Sequence, residues 1–152
     1  MEAKKIIITG GATRIGAAIA KNLVSFDTKI VIHFNRSKSS ALKLKKELES
    51  LGAETYLLKA DLNNFKQTNS LIKNAYTKMK GLDCLINNAS VFENDNLENF
   101  SEKSFTKHIN INLKAPAILT QNFHKFVRDK EGCIINIIAV SYTHLRAHET
   151  CT

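Results

Sequence analysis

Lys5-Ile6-Ile7-Ile8-Thr9-Gly10-Gly11-Ala12-Thr13-Arg14-Ile15-Gly16 is the stretch that decides the fold. Its first five residues form an apolar, β-branched run that breaks at Gly10-Gly11, after which Ile15, Ala18, Ile19 and Leu23 recur at helical spacing. A strand therefore runs through a glycine turn directly into a helix. Gly10 permits the sharp exit from the strand, and Gly16 lets the helix pack close to it. The free N–H groups and positive end of that helix face whatever sits in the loop, which suits a pyrophosphate. A glycine-rich string alone is weak evidence and fits a plain tight turn. Following a strand and opening a helix, it has the context that dinucleotide binding requires.

Outward from that turn the same alternation continues. Lys29 to Phe34 reads as a second strand, Ser39 to Leu51 as a helix ending at Gly52, and Thr55 to Leu58 as a third strand. A helix from about Lys66 to Lys80, closed by Gly81, precedes a fourth strand at Cys84-Leu85-Ile86. Lys103 to Arg128 carries helical spacing in two pieces, and Cys133 to Ile138 is a fifth strand. Strands apolar on both faces, separated by amphipathic helices, imply a parallel sheet covered on both sides, a doubly wound α/β architecture.

Composition bounds the remaining classes. A chain of 152 residues fits one domain, and no apolar run approaches the roughly 20 residues that span a bilayer. No secretory leader precedes the first strand, so the cytoplasm is the expected location and no membrane partner is expected. The net charge of +8 invites a nucleic-acid reading, but the lysines are scattered. The densest group, Lys43 to Lys46, lies on a predicted helix beside Glu47 and Glu49, and no stacking or recognition motif accompanies it, so no nucleic-acid partner is expected. Cys84, Cys133 and Cys151 form no close pair in sequence; Cys84 and Cys133 flank apolar runs and read as small buried hydrophobes. His144, His148 and Cys151 have metal-like spacing but lack further converging ligands, so no metal is expected.

The end of the second strand selects the dinucleotide. An NAD site places an acid there to hold the ribose hydroxyls. This chain has His33-Phe34-Asn35-Arg36-Ser37, with Arg36 at that address and Asp27 at the strand's wrong end. Arg36 and Ser37 suit a 2′-phosphate, the arginine through forked, charge-assisted hydrogen bonds. NADP(H) is the expected cofactor.

From Met1 to about Ile138 the chain resembles the short-chain dehydrogenase/reductase family, and within it the pteridine reductase-like branch. The resemblance rests on the glycine turn with Arg14 where the family usually has a central Gly, and on His33-x-x-Arg36-Ser37. It extends to Ala60-Asp61-Leu62, Asn87-Asn88-Ala89-Ser90, Phe92 and Asn112-Leu113-Lys114-Ala115-Pro116. It implies a Rossmann fold comprising the first five strands of a seven-stranded domain. It implies that Gly10, Arg14, Ile15, Gly16, Asn35, Arg36, Ser37, Asp61, Leu62, Asn88, Ala89 and Ser90 bind the cofactor. Phe92 and Arg14 would meet the substrate, and Asn112 would serve the family's proton relay. Read singly, Asp61 serves equally as a helix N-cap, Asn87 and Asn88 as turn residues, Phe92 as core and Asn112 as a satisfied residue in a helix kink.

The implied reaction is hydride transfer to a pterin, with a 3-oxoacyl, sugar-like or steroid-like ketone as the alternative substrate and a non-catalytic NADP sensor as the alternative role. The family's Ser or Asp falls at Ala139, and its catalytic Tyr would fall at Thr152, with the Lys beyond the last residue. Tyr142 and Arg146 repeat the Tyr-x-x-x-basic spacing too soon after the strand to serve. Residues 1–140 hold 18 Lys, 15 Asn and 16 Ile, whereas Ser141 to Thr152 hold none of these, and Val140 to Thr150 resembles translated library-adaptor sequence. Residues 1–138 are therefore expected to be an incomplete NADP-binding domain, and 139–152 a foreign or disordered tail. The fragment is expected to be inactive, and its full-length form a homo-oligomer.

Overall fold

The apolar runs of the sequence lie side by side in a computed structural model, which describes residues 4–93, 98, 100–128 and 131–138. The strands are β1 (Lys4–Ile8), β2 (Thr28–Phe34), β3 (Glu54–Lys59), β4 (Cys84–Asn87) and β5 (Cys133–Asn136). The helices are α1 (Arg14–Leu23), α2 (Lys38–Ser50), α3 (Phe65–Met79), α4 (Glu102–Ile109) and α5 (Ala115–Val127). All strand pairs are parallel, in the order β3-β2-β1-β4-β5. This is the doubly wound Rossmann arrangement, with the chain reversing direction across the sheet between β1 and β4.

Alternation along the strands builds two cores. Ile7, Val31 and Leu85 pack on one face against Leu71, Ile72 and Met79 of α3 and Leu119, Phe123 and Val127 of α5. Ile6, Ile8, Ile30, Ile32 and Ile86 turn to the other face, against Ala20 of α1 and Ala41, Leu44 and Leu48 of α2. The helices start and stop where local chemistry dictates. Asn64 caps α3 by accepting the Gln67 N–H at 3.1 Å, and α3 ends with Lys80 in the left-handed region followed by Gly81 at φ 145°.

The long helical stretch after β4 is indeed in two pieces, α4 and α5, joined by a π-helical turn over residues 110–114. Pro116 accounts for the turn: it has no N–H to give the carbonyl of Asn112, and its ring crowds that carbonyl. The Ala115 N–H instead reaches back to the Asn110 carbonyl.

One expectation fails here. Cys84 and Cys133 are not two separate buried hydrophobes: Cys84 is half-buried, Cys133 is exposed, and the two are register partners on β4 and β5. Cys133 is exposed because β5 is the sheet's outer strand among the described residues, and Ile134, Ile135 and Ile138 are exposed with it. The fifth strand is also shorter than expected, pairing through Asn136, with one further bond from the Ile137 N–H to the Asn87 carbonyl at 2.9 Å.

Such an edge offers backbone groups that are unpaired among the described residues, beside apolar side chains. Light scattering should therefore show self-association that rises with concentration. Ile135→Lys should reduce it while leaving the unfolding temperature within a few degrees.

Candidate functional site

Parallel strands end together, so the tips of β1, β2, β3 and β4 converge with their following loops at one edge of the sheet. The glycine turn lies at the centre. Gly10 has φ 60°, and a Cβ added there would lie 2.9 Å from the Ala89 Cα. A Cβ on Gly16 would lie 2.4 Å from the Gly10 carbonyl oxygen and 2.6 Å from Asn88 Nδ2. Both glycines are therefore required by close backbone approach. α1 starts directly at Arg14 with no side-chain cap from Thr13, which leaves its first N–H groups without that partner.

Polar bonds fix the turn against its neighbours. Asn88 Nδ2 donates to the carbonyls of Thr9 at 2.9 Å and Gly10 at 3.1 Å. Thr9 Oγ1 accepts the N–H groups of Asn88 and Ala89, both at 3.0 Å. From the other side, the Gly10 N–H donates to His33 Nδ1 at 3.1 Å. Because Nδ1 accepts, the proton of the neutral ring is on Nε2, which donates to the Ala60 carbonyl at 3.1 Å. His33 thus links the tips of β1, β2 and β3. Burial pushes its pKa down to about 4, partly offset by the bond to Ala60.

The remaining expected residues fall around this centre. Arg14 and Ile15 are exposed in the first turn of α1, Arg14 in the left-handed region at φ 49°. That backbone position favours glycine, so a side chain there carries a strain of about 1 kcal/mol. Asn35 and Arg36 are exposed at the tip of β2, and Ser37 begins α2 without capping it through its hydroxyl. Neither Arg14 nor Arg36 has an ion-pair partner among the described residues. Asp61 is not the cap of α3, which is Asn64; its carboxylate accepts the Asn63 N–H at 3.0 Å and the Asn35 side-chain amide at 3.4 Å. The Leu62 side chain is buried in the core, so only its backbone remains for a ligand.

Beside the turn lies an open cleft of about 730 Å³, lined by Ser90, Phe92, His108, Asn112, Asn136 and Ile138 among others. Phe92 is not core: it is 73% exposed at this cleft. Asn112 brackets the backbone of one residue, donating from Nδ2 to the Val91 carbonyl and accepting the Val91 N–H at Oδ1, both at 2.9 Å. Its side chain therefore fixes the loop after β4. Asn87 donates to Asn136 Oδ1 at 2.9 Å, while its own buried Oδ1 has no hydrogen-bond partner among the described residues.

Thr9, His108 and Asn136 are not among the site residues expected from the sequence, whereas His33 and Asn87 enter there only as members of the His33-x-x-Arg36-Ser37 and Asn87-Asn88-Ala89-Ser90 patterns, without a contact of their own. His108 accepts the Glu93 N–H at Nε2, a contact that no local pattern announces. Ala139, Tyr142, His144, Arg146, His148, Cys151 and Thr152 lie outside the described residues. Among the described residues no three His, Cys, Asp or Glu side chains group to hold a metal, and no helix is long and apolar enough to cross a membrane.

The comparisons with known proteins agree with this geometry. A profile described as short chain dehydrogenase matches residues 4–150. An uncharacterized oxidoreductase of Methylorubrum extorquens is 29% identical over 140 residues, which cover 92% of this chain and 56% of that protein. A short-chain dehydrogenase/reductase of Pestalotiopsis microspora is 30% identical over 129 residues, covering 85% and 49%. Among solved structures, FolM alternative dihydrofolate reductase 1 of Brucella suis, in complex with NADP, superposes with a TM-score of 0.80 at 31% identity, covering 88% of this chain and 56% of that one. The chain spans about half the length of the curated relatives it matches.

The depressed pKa of His33 carries a stability prediction. The folded ring stays neutral down to about pH 4, whereas the unfolded ring takes a proton near pH 6.5. This contribution is full above pH 6.5 and is lost as pH falls toward 4, amounting to about 3 kcal/mol. Urea midpoints measured across that window should fall for the native chain, and His33→Gln should flatten the share due to this residue.

Proposed function

This chain belongs to the short chain dehydrogenase family, and on that premise we propose that it is the cofactor-binding front part of an NADPH-dependent reductase acting on a pterin. The observation that carries the reading is a pair of exposed arginines, Arg14 at the start of α1 within the glycine turn and Arg36 at the tip of β2, both without an ion-pair partner among the described residues. The site fits the cofactor on its own chemistry. Gly10 and Gly16 clear the backbone for a diphosphate, the uncapped start of α1 supplies amide donors, and Arg36 with Ser37 offers cation and hydroxyl to a 2′-phosphate. Asn35 and Asp61, already hydrogen-bonded to each other, would border the adenosine end.

Ala89 and Ser90 lead from the turn into the cleft, where the buried Asn87 Oδ1 awaits a donor. The cofactor, when bound, supplies the hydride. The chain's own residues then do the positioning. Phe92 offers an aromatic face for a flat heterocycle, and Arg14 a fixed charge beside it. The Asn112 carbonyl, whose α-helical donor is missing at Pro116, can hold a water, and the Asn112 side chain keeps Val91 and its loop in place. The FolM likeness supports the pterin reading, as do Arg14, Ser90 and Phe92 in the sequence. The Tyr and Lys that donate the proton in the family would follow residue 138 in the full-length enzyme, with 139–152 a non-native tail in this chain. We place that enzyme in the cytoplasm, acting as a homo-oligomer.

Direct binding measurements separate the roles of the two arginines. Arg36→Ala should weaken NADPH by about 10- to 100-fold and leave NADH nearly unchanged, as expected for loss of a charge-assisted contact. Arg14→Gly relieves the backbone strain, so it should keep or slightly raise stability while weakening ligand binding. Equal affinities of the native chain for NADPH and NADH would remove the NADP assignment. In a spectrophotometric assay with NADPH and dihydropterin, the 152-residue chain should show no turnover above background.

A further inference from the structure

β4 and β5 repeat one pattern in register: Cys84-Leu85-Ile86-Asn87 beside Cys133-Ile134-Ile135-Asn136. The asparagines end the two strands at the cleft and bond to each other, while the cysteines start them at the opposite end of the sheet. The Cys133 N–H donates to the Asp83 carbonyl at 2.9 Å, which anchors the first residue of β5 against the first turn of backbone before β4. Register partners on neighbouring strands lie about 4.8 Å apart, inside the range of Cα separations that a disulfide bridges without moving the backbone. Both side chains leave the sheet on the same face, because they are directly opposed in a pleated pair. The Cys133 thiol is a close enough neighbour to add to the effect of burial on Cys84. Both are free, with Cys133 exposed and Cys84 half-buried.

We infer that Cys84 and Cys133 form a two-thiol modification site that reacts with low-molecular-weight disulfides and closes to a bond joining the edge strand β5 to β4. The exposed Cys133 is the attacking sulfur. As thiolate it attacks one sulfur of the small disulfide and expels the other as a thiol, leaving a mixed disulfide on Cys133. Cys84 then loses its proton, attacks Cys133 Sγ and expels the second small thiol. Two protein thiols are oxidised to one disulfide while one small disulfide is reduced to two thiols. The division of labour follows from burial, which pushes the Cys84 thiol up to about 12, with Cys133 beside it adding to the effect. Cys84 is thus a poor first nucleophile. Once Cys133 carries the adduct, however, its neighbour is held against the sulfur it must attack, and proximity compensates for low thiolate content. The same two strands carry Asn87 and Asn136 at the cleft, so the closed bond restrains β5 along the wall of the functional site.

The test uses the full chain with Cys151→Ser, reduced and then exposed to oxidised glutathione under native conditions. The expected result is a monomer whose reactive-thiol titre falls from two per chain to none, whose mass drops by two hydrogens, and whose digest contains a Cys84–Cys133 cross-linked peptide. Adding Cys84→Ser should stop the reaction at one stable glutathione adduct on Cys133. Phenylarsine oxide, which bridges neighbouring thiols with loss of water, should bind the intact pair once and neither single Ser variant. A glutathione adduct persisting on Cys133 with Cys84 intact, an unreactive Cys133, or a disulfide between chains would each overturn the inference.

Discussion

The backbone after β1 and the backbone after β4 approach each other too closely for a side chain to stand between them. Gly10 rests against Ala89, and Gly16 rests against Gly10 and Asn88. Everything else at the site depends on that approach. It brings α1 end-on to the loop, so the helix's first amides point where an anion can collect. It also brings Asn88 within reach of two turn carbonyls and Thr9 within reach of two amides, so the close contact is satisfied in polar bonds as well as in packing. His33 completes the constraint from the far side by joining the Gly10 N–H to the Ala60 carbonyl. A buried ring with both nitrogens used is a rigid spacer, and it sets how far the tip of β2, with Arg36, stands from the turn.

Much of this architecture was legible in the sequence because the informative residues have few alternatives. A β-branched run ending in Gly10-Gly11 and passing into helical spacing admits one local structure, and five such runs separated by helices admit one layered arrangement. The boundaries follow the sequence within one residue except at β5, which ends at Asn136, two residues early. What the sequence withheld were contacts between residues distant along the chain. His33 reaches Ala60, Asn112 reaches Val91, and Cys84 reaches Cys133, each across a span in which no periodicity links the partners. The cysteine reading failed for that reason. Spacing along the chain says nothing of register, and only pairing of the two strands sets the thiols opposite each other.

The roles of single residues were harder to read than their addresses. Asp61 and Asn88 look alike as polar residues after strands, yet Asn88 is wholly engaged in joining two loops while Asp61 keeps its carboxylate near the surface. Leu62 follows Asp61 in the same segment but points into the core. Arg14 shows the opposite relation between cost and role. A left-handed backbone position that glycine would occupy without strain holds an arginine. The strain is compatible with the proposed contact of Arg14 to a ligand, which would offset it.

Pro116 ties the helical layer to the cleft by a similar exchange. It removes one helical hydrogen bond and widens the turn over residues 110–114, which leaves the Asn112 carbonyl without its helical donor. In a buried helix this would be a pure loss. Here the π turn lies at the wall of an open cleft, where water or ligand can satisfy the carbonyl, and the Asn112 side chain holds the backbone N–H and carbonyl of Val91. Asn112 thus combines two separable features: its side-chain amide fixes the loop that carries Phe92, and its backbone carbonyl has lost its α-helical donor at a residue lining the cleft. Replacing the amide should loosen that loop without removing the carbonyl, whereas replacing Pro116 should restore the helical bond and close the carbonyl off while the amide contacts persist. The two substitutions therefore distinguish positioning from polar participation at the same point in the chain.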